Sequence, residues 1–142
     1  MKVSALQKNG IGLLALDNAY SFAEKIGLTL DEPTNVENFN ALLIRFLILY
    51  TEYTTGVVLD PTYSLPFLSY KDNNSGLLIR LEREQDQDPL SLPRFLPQWG
   101  IEDVRNNYGL AKLELFYHPA EGMAAEKKKL VADLYDFCQY EG

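Results

Sequence analysis

With 142 residues, 46% hydrophobic and 23% charged, the chain has the make-up of one globular domain large enough for a real core. Its net charge of −7 and sequence pI near 4.7 argue against a general attraction to nucleic acid or to an anionic membrane. A single cysteine, Cys138, and a single histidine, His118, exclude an intramolecular disulfide and any zinc site rich in those residue types.

Four short apolar runs, each ending on a charged or polar side chain, set the frame: GIGLLALD to Asp17, GVVLD to Asp60, GLLIRLE to Glu82 and LAKLELFYH to His118. The first strand leads into a helix over Asn18–Ile26 that Gly27 closes. Thr34-Asn35-Val36-Glu37 has the form of a capping box, and the helix behind it is expected to reach about Tyr53. Val36, Phe39, Leu43, Phe46, Leu47 and Tyr50 recur at helical spacing. Leu42, Ile44, Ile48 and Leu49 widen that stripe until little of the helix is expected to meet water. This is the longest apolar stretch, yet it contains Arg45 and falls short of the ~20 residues of a membrane span. Nor does the start of the chain carry the basic end and uninterrupted apolar core of a signal peptide, so a cytoplasmic setting is the expectation.

The second strand begins at Gly56 and Pro61 ends it. Residues 62–75, with Pro66 and an Asn-Asn turn signal, have room for one short helix before the third strand. An acidic loop, EREQDQDP, and a proline-punctuated segment, LPRFLPQW, follow. Ile101, Val104 and Tyr108 then mark a short helix with Gly109 at its C-terminal cap. After the fourth strand, Met123, Leu130, Leu134 and Phe137 mark a last helix. The run Lys127-Lys128-Lys129 within it reads as a solvated face, and Cys138 as core. Strands alternating with helices in this way predict an α/β protein with a parallel sheet, in which chemistry gathers at the C-terminal ends of the strands. No glycine-rich phosphate loop is present.

Side chains alternate across a strand, so each run divides into two faces. One is uniformly apolar: Leu14, Leu16, Val57, Leu59, Leu77, Ile79, Leu81, Leu113, Leu115 and Tyr117. The other holds all the charge: Asp17, Asp60, Arg80, Glu82, Lys112, Glu114 and His118. An open doubly wound sheet buries both faces, whereas a closed barrel can lodge ionised groups in its lumen, so the pattern favours a barrel. Buried charges there must pair, with Lys112–Glu114, Lys112–Asp60 and Arg80–Glu82 as expected partners, and they serve either as core ion pairs or as a site. On chemistry alone Lys112 is a Schiff-base candidate, with Asp17, Asp60, Glu82 or Glu114 moving protons. Its competing role is to stay charged and hold a substrate phosphate or oxyanion. His118, before a proline, suits a loop or hydrogen-bonding role.

At GLLALD, GVVLDPTYSLP, GLLIRLE, LPQWGIEDVRNNYGLAKLELFYHP and AEKKKLVADLYDFC the chain resembles class I tagatose-1,6-bisphosphate aldolases and the related sulfofructose-phosphate aldolases. The resemblance implies a (β/α)8 barrel that cleaves a ketose phosphate to dihydroxyacetone phosphate and an aldehyde through a lysine Schiff base, with no metal and no other cofactor. It places Asp17 and Lys112 among the catalytic residues, Lys112 as an assisting lysine and not the Schiff-base one. Asn18, Asp60, Glu82 and Glu114 fall at substrate-side positions. The family follows its first-strand aspartate with glutamine and arginine, where this chain has Asn18 and Ala19.

A complete barrel of this type needs about 250 residues. The expectation is therefore a single partial domain over residues 1–142, carrying strands one to four, with the Schiff-base lysine and a catalytic glutamate on strands that these residues do not include. Such a chain should be inactive alone in Schiff-base chemistry, and its open strand edges invite self-association. The alternative is a short half-barrel that dimerises edge to edge and binds a sugar phosphate without cleaving it. A flavodoxin-like binding domain is a third reading, disfavoured by the polar face.

Overall fold

A computed structural model describes residues 10–84 and 88–141; residues 85–87, in the middle of the acidic stretch, lie outside it. The chain divides into two compact units, residues 1–80 and 81–142.

The first unit is built on three parallel strands, β1 (Leu13–Leu16), β2 (Gly56–Leu59) and β3 (Gly76–Arg80). Register sets Leu13 beside Gly56 beside Gly76, and Leu16 beside Leu59 beside Ile79. The apolar face expected from alternation is thus continuous across the three strands, and Val57, Leu59 and Ile79 are fully buried. Gly56 is required by crowding. A Cβ there would come within 3.2 Å of the Leu13 side chain and 3.3 Å of Leu78.

Helix α1 (Ala19–Lys25) ends as the sequence indicates. Gly27 takes a positive φ of 76°, letting its N–H and that of Leu28 close back onto the carbonyls of Glu24 and Ala23. Helix α2 (Pro33–Tyr50) starts differently from expectation. Pro33, with its φ preset for a helix and no N–H to leave unpaired, occupies the first helical position, and Glu32 becomes the cap. Thr34 and Glu37 fall inside the first turn, and no side chain caps the helix. Phe39, Leu43 and Leu47, one turn apart, are fully buried. The far side is less covered than the width of the stripe predicts: Ile48, Leu49 and Tyr50 are about half exposed. Two 3-10 turns, Thr51–Tyr53 and Leu65–Tyr70, complete the unit. Beside the first, the Thr51 hydroxyl donates to the Leu47 carbonyl at 2.6 Å and accepts the Asp72 N–H at 2.8 Å. The Lys71 ammonium donates to the Asp72 and Ser75 carbonyls.

The second unit opens on Leu81–Arg83. This stretch exchanges main-chain bonds with the proline-punctuated segment: Arg83 N–H to Arg94 carbonyl at 2.8 Å and Leu96 N–H to Leu81 carbonyl at 3.0 Å. On its other side the Leu81 N–H reaches the carbonyl of Lys112, in β4 (Leu110–Lys112). The fourth strand is therefore shorter than the apolar run, which continues to His118 outside regular structure. Helix α3 (Ile101–Asn106) begins where the Asp103 carboxylate accepts the Gly100 N–H at 2.8 Å. It ends with Tyr108, not Gly109, in the left-handed region (φ 56°). The Tyr108 and Gly109 N–H groups bond the Arg105 and Val104 carbonyls, so the closing motif forms one residue earlier than the glycine suggests.

Helix α4 (Ala124–Glu141) holds the largest departure from the sequence reading. Lys128 and Lys129 are exposed, but Lys127 is completely buried. Its ammonium donates to the Pro89 carbonyl at 2.6 Å and pairs with Glu121 at 2.9 Å. Charge runs lie on the solvated face when their neighbours do; here helical geometry turns the first lysine 100° away from the second, onto the packed side. Cys138 is half-buried, and burial raises its thiol pKa. No described helix is long and apolar enough to cross a membrane.

Candidate functional site

The candidate residues fall in both units, and each group has its own geometry. In the first unit, Asp17, Asp60 and Arg80 follow directly on the polar face of β1, β2 and β3. All three are buried, at 2%, 6% and 2% exposure. The Arg80 guanidinium donates to the main-chain carbonyl of Asp17, which anchors the end of the first strand. Burying three charged side chains in one place is costly unless each is engaged, and this is the chemistry that sites retain.

Asp60 has a second task. Its carboxylate accepts the Thr62 and Tyr63 N–H groups at 2.7 and 2.8 Å, its N–H donates to the Ser64 hydroxyl at 2.7 Å, and its carbonyl accepts the Leu65 N–H at 2.9 Å. Pro61 can enter this turn because it has no N–H to satisfy. The sequence gives a hint of it in an aspartate directly before proline, with a serine four positions on.

Tyr63 then lies against Tyr20, the residue that follows Ala19 in α1. Their hydroxyls are 2.9 Å apart and their rings meet edge to face at 5.5 Å. Burial and the Tyr20 hydroxyl together raise the Tyr63 pKa. This aromatic pair at the ends of the first two strands was not singled out by sequence pattern. Two tyrosines 43 positions apart carry no spacing signal. Asn18, at the cap of α1, is exposed, and its side chain makes no capping bond.

In the second unit, Lys112 bridges two carboxylates. Its Nζ lies 2.9 Å from Glu82 and 3.1 Å from Glu114. Glu82 is fully buried, Glu114 half exposed, and Lys112 intermediate. The Lys112–Glu114 pair is the one expected from strand alternation. Glu82 is held rigidly, because its main chain lies between the Phe95 segment and the carbonyl of Lys112. A lysine gripped this way presents a fixed ammonium at the edge of a pocket, suited to an anionic oxygen. His118 is exposed, and its Nδ1 accepts the Ala120 N–H at 3.2 Å, a loop-closing bond. Among the described residues no three His, Cys, Asp or Glu side chains converge closely enough to hold a metal ion.

Fold and site together describe a parallel α/β chain with acids, an arginine and a lysine at its strand ends. Among known proteins this chain is similar to tagatose 1,6-diphosphate aldolases. It is 29% identical over 119 residues to tagatose 1,6-diphosphate aldolase 2 of Enterococcus faecalis, covering 81% of this chain and 35% of that protein. With the tagatose 1,6-diphosphate aldolase of Staphylococcus epidermidis it shares 25% identity over 150 aligned positions, 99% of this chain and 46% of the relative. A third relative, the aldolase of Streptococcus agalactiae serotype V, is 27% identical over 117 residues. The chain spans between about a third and a half of the length of these curated relatives, in their N-terminal part. No family model matches it.

Proposed function

We propose that the chain supplies the first four strand ends of a class I aldolase barrel acting on a ketose (bis)phosphate such as tagatose 1,6-bisphosphate. The products are dihydroxyacetone phosphate and an aldehyde. In this reading a lysine other than Lys112, on a later strand of the complete enzyme, forms the Schiff base. Lys112 stays an ammonium and holds a phosphate or the developing oxyanion, with Glu82 and Glu114 fixing its position. Asp17 stands at the first strand end as a proton-transfer group, its main chain tied down by Arg80. Asn18, Asp60, Glu82 and Glu114 shape the substrate side. The observation that carries this reading is the double engagement of Lys112, at 2.9 and 3.1 Å from two carboxylates, because a nucleophilic amine needs a free lone pair.

Two measurements on the full chain test it. Tagatose 1,6-bisphosphate should raise the melting temperature in a concentration-dependent way, and Lys112→Met should remove the shift; melting curves unmoved by the sugar phosphate sink the substrate class. Borohydride with dihydroxyacetone phosphate should leave the mass unchanged. A reduced adduct on Lys112 would make it the nucleophile and overturn its supporting role.

The second reading is a short half-barrel that binds a sugar phosphate without cleaving it and pairs through its strand edges. It is favoured by the exposure of Ile11 (62%) and Leu13 (43%) along the first strand. A dimer in solution that Leu13→Lys dissociates would support it.

A further inference from the structure

The outward side of α4 carries an apolar stripe, a groove and two charges of opposite sign, in an order that is complementary to itself. Lys128, Val131, Ala132, Tyr135 and Gln139 follow one another along one face of the helix and are exposed, Val131 at 46% and Tyr135 at 63%. Beside this stripe lies a groove of about 230 Å³ lined by Leu115, Tyr117, Lys127, Lys128 and Val131. The Lys128 ammonium sits over the Tyr117 ring, 5.7 Å from its centre, at the edge of the groove. Basic residues occupy the N-terminal half of the helix. Asp133 and Asp136 occupy the C-terminal half, Asp133 being engaged by Lys129 at 2.7 Å and Asp136 being exposed.

We propose that this face is a homodimer interface in which α4 packs antiparallel against α4 of a second copy. One register satisfies every feature at once. Placing Lys128 opposite Asp136 of the second copy puts Ala132 opposite its own counterpart on the two-fold axis, where a small side chain lets the helices approach. The same register sets Tyr135 over the gap between Lys128 and Val131, at the mouth of the groove. The contact is isologous: each copy offers both the aromatic projection and the recess, both the cation and the anion, so two equivalent salt bridges and two buried tyrosines form. A tyrosine with its hydroxyl toward the rim suits such an interface, because its ring supplies area at small entropic cost while the polar end stays wet. A parallel arrangement would set Lys128 against Lys128 and leave the groove opposite Lys128 and Val131 of the other copy, with nothing to fill it.

The test is sedentation-free of any ligand and uses the full chain: sedimentation equilibrium across a wide concentration range, with circular dichroism to show that each variant is folded. The wild type should dimerise. Lys128→Glu and Asp136→Lys should each raise the dimer dissociation constant on the order of tenfold or more, since each places like charges face to face twice. An equimolar mixture of the two variants should recover wild-type dimerisation, because the mixed dimer restores both pairs. Zero-length carbodiimide coupling of the wild type should join Lys128 to Asp136 between copies. A wild-type chain that stays monomeric, a dimer indifferent to both reversals, or a dimer lost only on Leu13→Lys would overturn the proposal.

Discussion

Glu121 shows how one buried partner makes stability depend on pH. The Lys127 ammonium, its main-chain carbonyl contact at Pro89 and the Glu121 carboxylate form a small closed set under α4. The Lys127 hydrogen bond lowers the Glu121 pKa, with a further main-chain contribution through His118. A carboxylate whose folded pKa is depressed stabilises the fold fully above its unfolded pKa, about 4.3 for a free glutamate. That contribution is lost as pH falls through the lower folded value. Urea denaturation should therefore show stability falling with acid below about pH 4.3, and Glu121→Gln should flatten that part of the profile while lowering stability near neutrality. An unchanged acid limb in the variant would mean that other carboxylates govern it. Asp88 belongs to the same acid limb: Ser91 and the Leu90 N–H hold its pKa down. A variant series should include it.

At the level of elements, the strands were legible because apolar alternation and terminating polar residues are strictly local signals. Gly27 was legible for the same reason: only a residue tolerant of positive φ closes a helix there cheaply. The misplaced starts and stops have equally physical causes. Pro33 outcompeted the Thr34/Glu37 box because a fixed φ and a missing donor suit the first helical position before any side-chain cap forms. Tyr108 took the left-handed position although Gly109 was next to it, and it is 93% exposed. Tyr108→Gly should consequently stabilise the protein by about 1 kcal/mol, read as a higher denaturation midpoint with unchanged slope. A loss of stability would mean that the tyrosine makes good its strain elsewhere.

Core positions of α2 carry larger stakes. Phe39 is fully buried and meets the rings of Phe22 at 5.6 Å and Tyr63 at 6.5 Å. Phe39→Ala should cost about 3–5 kcal/mol, enough to unfold a marginal domain at ambient temperature. Fluorescence-detected urea melts would show it, and a cost below about 1 kcal/mol would mean that the site collapses around the smaller side chain.

On the scale of the whole molecule, alternation across the strands foresaw which side chains share the polar face, and Lys112–Glu114 formed as spacing dictates. Pairings that join distant segments were harder to foresee. Lys127 with Pro89, and Tyr20 with Tyr63, arise from how elements stack, which no local window of sequence contains. The similarity to tagatose 1,6-diphosphate aldolases, over most of this chain but less than half of each relative, gives the strand-end acids and Lys112 a chemical setting.

The burial of Lys127 has a consequence for reactivity. Three consecutive lysines have the same intrinsic nucleophilicity, yet only Lys128 and Lys129 present their amines to solvent. A pulse of acetic anhydride should modify those two at once and reach Lys127 only in molecules whose last helix has lifted from the Pro89 turn. The ratio of slow to fast acetylation, followed by mass spectrometry of a single peptide, would then report the free energy of that local opening, with two neighbouring residues as the internal standard.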